Sequence, residues 1–149
     1  VTQNFKNTAS VDLKGGEIEV EYSPNRRTRL MLSHAVMDAS ASDQSASTAK
    51  KLEESVPDHT SSLMLIYRLT EYLQASAAYS RVGEMDWLGS GDFVDDYDRL
   101  DVTLSTDFSI GETQGQFDVT YQNWGGDYVE FRQENIFDHR AYATLRLNF

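Results

Sequence analysis

A chain of 149 residues with 24 acidic against 13 basic side chains, and a formal charge of −11, lacks the basic surface that nucleic acid requires. It has no cysteine, which excludes disulfides and thiolate metal sites, and no run near the roughly 18 apolar residues of a transmembrane helix. Its mean hydropathy of −0.52 would ordinarily indicate a water-soluble protein, but strands that alternate apolar and polar residues keep that mean low even when one face is wholly apolar.

The opening VTQNFKNTAS has no Met and no charged-then-apolar leader, so a leader has been removed or the chain begins inside a longer protein. Thr2–Ala9 offers only a weak strand pattern, with Val1, Gln3, Phe5 and Asn7 on one face. After Gly15-Gly16, Ile18, Val20 and Tyr22 alternate with Glu17, Glu19 and Glu21, which predicts a strand. The cluster Ser23-Pro24-Asn25-Arg26 predicts a turn. Leu30, Leu32, His34 and Val36 then alternate with Arg29, Met31, Ser33 and Ala35. Asp38–His59, rich in Ala, Ser, Asp and Lys, reads as a long flexible loop.

Two further strands follow, with Leu63, Leu65, Tyr67 and Leu69 on one face of the first and Leu73, Ala75, Ala77 and Tyr79 on one face of the second. Only Thr70-Glu71 separates them, whereas Gly83–Asp96 is a second long connection. Leu100, Val102, Leu104 and Phe108 alternate with Arg99, Asp101, Thr103, Ser105 and Asp107. A tight turn at Gly111-Glu112-Thr113 leads to Phe117, Val119 and Tyr121, alternating with Gln116, Asp118, Thr120 and Gln122. After the third long connection, Trp124–Asp138, the chain closes on HRAYATLRLNF, with Ala141, Ala143, Leu145, Leu147 and Phe149 on one face. The strands approach the ~9–11 residues that cross a bilayer at barrel tilt.

Connections therefore alternate short and long along the whole chain, as periplasmic turns and extracellular loops do in outer-membrane barrels. The charged residues Glu17, Glu19, Glu21, Arg99, Asp101, Asp118 and Arg146 share the face that would line a hydrated lumen. Tyr22, Tyr67, Tyr72, Tyr79, Phe108 and Phe149 fall near strand ends, where interfacial aromatic girdles form. The expected fold is all-β: one antiparallel transmembrane β-barrel domain or barrel fragment over residues 1–149, in the bacterial outer membrane with the lipid bilayer as partner. With the short turns in the periplasm, the first confident strand runs downward from outside, so an upward strand must precede it. A small eight-stranded barrel of structural or adhesive type and the last seven or eight strands of a larger barrel both satisfy that count.

Four segments resemble the C-terminal barrel of TonB-dependent outer-membrane receptors: Gly15–Ala39, Tyr97–Phe108, Val119–Phe131 and Tyr142–Phe149. The first resembles the family's Gly-x-Glu-x-Glu strand and Pro-containing turn. Gln122-Asn123 followed by Gly126-Asp127-Tyr128 resembles its penultimate-strand pattern, with Trp124-Gly125 departing from it. Leu145, Leu147 and the terminal Phe149 resemble the signal read by the outer-membrane assembly machinery. The resemblance implies a barrel of about 22 strands, of which these residues supply roughly the last third. It also implies uptake of a scarce small-molecule ligand, such as an iron chelate (siderophore) or a vitamin. The family's plug and energy-coupling box have no counterpart here, so upstream barrel strands and a plug become expected partners.

In that reading Trp87, Phe93, Tyr128 and Phe131 are the candidate ligand-binding residues, because exposed aromatics in extracellular loops can grip a solute. Packing between loops is the plainer role for the same residues. Asp92, Asp95, Asp96 and Asp98 crowd one loop in a spacing unlike an EF-hand, which reads as a solvated acidic loop rather than a calcium site. His34, His59 and His139 have no ligand spacing, so no metal and no cofactor are expected. There is no nucleophile elbow, and no enzymatic activity is expected.

Overall fold

The computed structural model describes residues 9–43, 45–89 and 91–149. Its elements, in chain order, are β1 (Ala9–Asn25), β2 (Thr28–Asp43), α1 (Ala46–Glu54), β3 (His59–Arg68), β4 (Leu73–Val82), β5 (Met85–Asp86), β6 (Phe93–Val94), β7 (Tyr97–Ile110), β8 (Thr113–Gln122), β9 (Tyr128–Glu130), β10 (Arg132–Phe137) and β11 (Arg140–Asn148). Seven of the strands form one antiparallel sheet in the order β1-β2-β3-β4-β7-β8-β11, with each strand beside its predecessor in that list. β5/β6 and β9/β10 are two-stranded hairpins set into the long connections.

The short connections are built by local side-chain chemistry. Asn25 Oδ1 accepts hydrogen bonds from the amides of Arg27 (2.8 Å) and Thr28 (3.0 Å), turning β1 into β2. Thr70 Oγ1 does the same for the amides of Tyr72 (3.2 Å) and Leu73 (3.0 Å) between β3 and β4. Gly111, at φ 61°, supplies the left-handed residue between β7 and β8.

Because side chains alternate along a strand, the cross-strand register divides the sheet into two sets of rows. One row runs Tyr22–Leu30–Leu65–Ala77–Val102–Tyr121–Ala141 and is apolar or aromatic across all seven strands. The row one residue away on the other face runs Arg29–Ile66–Ser76–Thr103–Thr120–Tyr142. Beside it, Arg68–Gln74–Ser105–Asp118–Thr144 is polar throughout. The apolar face is open: Ile18, Val20, Leu32, Leu63, Leu65, Leu104, Phe117, Val119 and Leu145 are all exposed. On that face Phe108 covers Gly115, where a Cβ would fall 2.2 Å from the Phe108 ring.

The apolar face ends at a definite level. The row Ile18–His34–Ser61–Arg81–Asp98 is already mixed. Above it on β1 and β2 the same face carries Lys14, Asp12 and Ser10 against Asp38, Ser40 and Ser42. The opposite face reverses in the other sense, from Glu17, Glu19 and Glu21 to Leu13 and Val11, paired with Ala39 and Ala41. Helix α1 lies against this upper part of β2, where Glu53 Oε1 accepts the amide of Ala41 at 2.8 Å.

Several expectations are corrected. β1 begins at Ala9 rather than after Gly16, and Asp38–His59 is no loop over most of its length: β2 runs to Asp43 and α1 follows. The two small hairpins give the other long connections structure that their composition does not announce. The weak Thr2–Ala9 strand lies outside the described residues except for Ala9, which opens β1. Among the described residues β1 pairs only with β2 and β11 only with β8, so the sheet does not close. Among them too, no helix is long and apolar enough to cross a membrane, which bears on helices alone.

Candidate functional site

The long connections β2–β3, β4–β7 and β8–β11 all leave from one end of the sheet, and the β4–β7 connection meets each of the other two there. The β5–β6 hairpin is closed by the Trp87 amide donating to the Asp92 carbonyl at 3.1 Å. It is tied to the β9–β10 hairpin by the Asp92 amide, which donates to the Phe131 carbonyl at 2.8 Å. Gln133 completes the seam: its amide donates to Asp92 Oδ2 (3.1 Å) and its side chain to the Phe93 carbonyl (2.6 Å). Gly91 is required at this crossing, since a Cβ there would lie 2.2 Å from Trp87 Cβ. Phe131 holds φ 67°, an unfavourable value for an aromatic residue, which the surrounding seam imposes.

The loop layer contains Met85, at 8% exposure, and Val94, at 2%, the buried hydrophobic residues among those described. Trp87 packs edge-on against Phe131, with ring centroids 5.7 Å apart. Tyr128 stands in a separate column, stacked between Tyr97 (4.7 Å) and Phe137 (5.1 Å). Tyr97 Oη donates to Glu130 at 2.9 Å and fixes the column to β9.

The four aromatics read from the sequence therefore divide. Trp87 and Phe131 come together, as loop-to-loop packing. Phe93 is exposed and lines a cavity of about 270 Å³ together with the apolar Met37, Ala39, Val56 and Met85 and the acidic Asp38, Glu53, Glu54, Asp58 and Glu84. Tyr128 lines a second, more polar cavity of about 290 Å³ with Arg99, Gln122, Asn123 and Arg140. Sequence reasoning missed Tyr97, Phe137 and Asn123. Asn123 is buried, and its Nδ2 donates to the Phe137 carbonyl at 2.8 Å, anchoring the third loop. The one available signal was its place in the Gln122-Asn123 pair at the end of β8.

The acidic run Asp92–Asp98 does not gather into a ligand set. Asp92 caps the Gln133 amide, while Arg81 pairs with both Asp96 and Asp98, and Tyr79 Oη donates to Asp98 at 2.6 Å. The histidines stay apart: His34 meets Ser61 Oγ (2.8 Å), and His59 its neighbour Asp58 (2.6 Å). His139 joins Asp127 and Asp138, whose ligand atoms lie within 4.8 Å of its own, at an exposed corner of the third loop. There Asp138 holds Asp127 above the ordinary carboxylate range by sharing a hydrogen bond with it. The His139 amide holds Asp138 below that range.

Leu145 and Leu147 lie in apolar-face rows of β11, beside Phe117 and Gly115 of β8, and Phe149 is fully exposed. No protein-family model matches the chain, and no curated protein matches it.

Proposed function

We propose that the seven-stranded sheet is a wall sector of an outer-membrane β-barrel of the TonB-dependent receptor type. Its apolar face meets lipid, its polar face lines the lumen, and the loop layer roofs the extracellular mouth through which a scarce solute enters. The observation that carries this reading is the uninterrupted apolar row from Tyr22 to Ala141, on a face that stays exposed. Exposed apolar patches on water-soluble monomers rarely exceed a few hundred Å², and a seven-strand face is larger than that. In a bilayer the same face is solvated, and the switch to Lys14, Asp12 and Asp38 on it corresponds to the headgroup level.

Strand direction supports a larger cylinder. Six antiparallel steps leave β1 and β11 running the same way. An antiparallel closure therefore needs an odd number of additional strands between those two edges. A second copy in the same orientation would set β11 against β1 in parallel, so further strands of a barrel fit these edges better than self-association.

The absence of cysteine makes the test clean. Single cysteines at Leu63, Leu104 and Val119, and at Ser62, Thr103 and Ser105, are labelled with a fluorophore in protein reconstituted in lipid. The first set is expected to be quenched by a spin label in the acyl chains and the second by a water-soluble quencher. Equal aqueous quenching of both sets would remove the apolar face from lipid and end the proposal.

A further inference from the structure

Although the chain carries −11, four of its 13 basic residues converge at the short-turn end of the sheet. Arg26 and Arg27 form the β1–β2 turn, Arg29 follows at the start of β2, and Arg68 ends β3. All four line a cavity of about 320 Å³ whose lining also includes Ser23 and Gln74 and contains no carboxylate. Glu21 balances only Arg29, gripping it at two points (2.8 and 2.9 Å). Arg26, Arg27 and Arg68 have no carboxylate within ion-pair distance among the described residues. The frame that gathers them is backbone: the Arg68 amide donates to the Arg27 carbonyl at 2.8 Å, and Asn25 fixes the turn.

Three unbalanced guanidiniums around one concave space repel one another and focus a positive potential into it, and an anion relieves both effects. A guanidinium presents paired donors that match two oxygens of a tetrahedral oxyanion, which a diffuse basic surface does not do. Arg29, Ile66, Arg68 and Gln74 belong to rows of the polar face, so the cavity opens away from the lipid-type face of Tyr22 and Tyr67. That geometry selects an anion from water over one from a bilayer. We propose that this cavity is an oxyanion site for phosphate or a small soluble phosphate ester. The proposal stands on the cavity alone and does not require the membrane reading.

The test is calorimetric titration of inorganic phosphate into the full chain, in the buffer or detergent that keeps it monodisperse, at about 0.15 M NaCl. Saturable one-to-one binding is expected. Arg68→Gln and Arg26→Gln should each weaken it roughly ten- to hundredfold, as loss of a charge-assisted hydrogen bond does. Arg68→Lys should fall between, and Lys51→Gln, on helix α1 at the other end of the sheet, should leave binding unchanged. Strand content by circular dichroism accompanies each variant, and Arg26→Gln at the turn tip carries the comparison if Arg68→Gln unfolds. Absence of saturation, binding that ignores both substitutions, or equal competition by chloride would overturn the site. Competition by phosphatidylglycerol vesicles that depends on Arg68 would assign these arginines to lipid headgroups instead, and would also overturn it.

Discussion

The sheet and the loop layer treat the same kinds of side chain in opposite ways. On the sheet, Leu63, Leu104, Phe117 and Leu145 are exposed while Asp118 and Thr120 are buried. In the loop layer Met85 and Val94 are buried, and Glu84, Asp92 and Asp96 are exposed. Met85 and Val94 follow the rule of a water-soluble core, although Leu88, Phe93, Trp124 and Ile136 of the same layer are exposed. The sheet follows that rule inverted, with hydrogen-bonded polar residues inside: Thr103 and Thr120 meet at 3.0 Å, and Asp118 lies 3.2 Å from Arg146. On the proposed membrane reading the two regions meet two surroundings, and the boundary between them is the row Ile18–His34–Ser61–Arg81–Asp98.

The largest test of that contrast places one charge on either face. In lipid, Leu104→Arg is expected to destabilise the sheet by roughly 2–4 kcal/mol if the residue lies near the midplane. Ser62→Arg, on the polar face, is expected to cost less than about 1 kcal/mol, as surface substitutions do. Chemical denaturation of both variants in the same vesicles measures the difference. Equal costs would mean that the two faces meet the same medium and would dissolve the comparison.

The loop layer should break by the opposite logic, through steric crowding and cavities. Gly91→Ala drives a Cβ to 2.2 Å from Trp87 Cβ, and the seam must open or shift. Overpacking of this kind costs about 1–3 kcal/mol. Val94→Ala, at a 2%-exposed position, should cost about 1–2 kcal/mol from lost burial and a small cavity. Both losses should appear as faster amide exchange in residues 85–94 and 128–137, with exchange in β3, β4 and β7 unchanged, because loops open locally. Equal acceleration throughout the sheet would show that the layer and the wall are one cooperative unit.

The sequence exposed the wall far better than the layer, for a physical reason. A period-2 pattern survives in residues such as Ile18, Val20 and Tyr22 or Leu100, Val102 and Leu104 because side chains alternate between one apolar and one polar face of the sheet. β1 above Gly16 kept the same backbone but exchanged its faces, so Lys14, Asp12 and Ser10 read as an end to the strand when they are its continuation. Helix α1 was hidden in a segment of Ala, Ser and Lys that meets β2 through Glu53, whose carboxylate accepts the Ala41 amide, a contact outside any local pattern. The seam of Asp92, Phe131 and Gln133 joins residues about 40 positions apart, a separation over which local patterns carry no information. Trp87, Phe93, Tyr128 and Phe131 were legible as loop aromatics, but their division into packed and cavity-lining residues was not.

The smallest effect concerns the exposed corner of the layer. Asp127 and Asp138 share a hydrogen bond, and their protonation is pulled apart: Asp127 upward, chiefly through Asp138, and Asp138 downward, chiefly through the His139 amide. A raised carboxyl stabilises the fold at low pH, and that share is lost as pH rises through its folded value. A depressed one stabilises it above the ordinary carboxylate range, and that share is lost as pH falls through its folded value. The two shares oppose each other, so thermal unfolding is expected to show little net slope from this pair, and side-chain carboxyl resonances are the sharper readout. They should show Asp127 titrating above Asp138, as two coupled steps. Asp138→Asn removes the charge that holds the proton on Asp127 and should return Asp127 toward the ordinary aspartate range of about 3.9. It should leave exchange in the β5–β6 hairpin untouched, since that hairpin is held by Phe131 and Gln133 and not by this corner. An Asp127 titration unmoved by Asp138→Asn would mean that the corner does not form, and the layer would then reach no further along the third loop than the column of Tyr97, Tyr128 and Phe137.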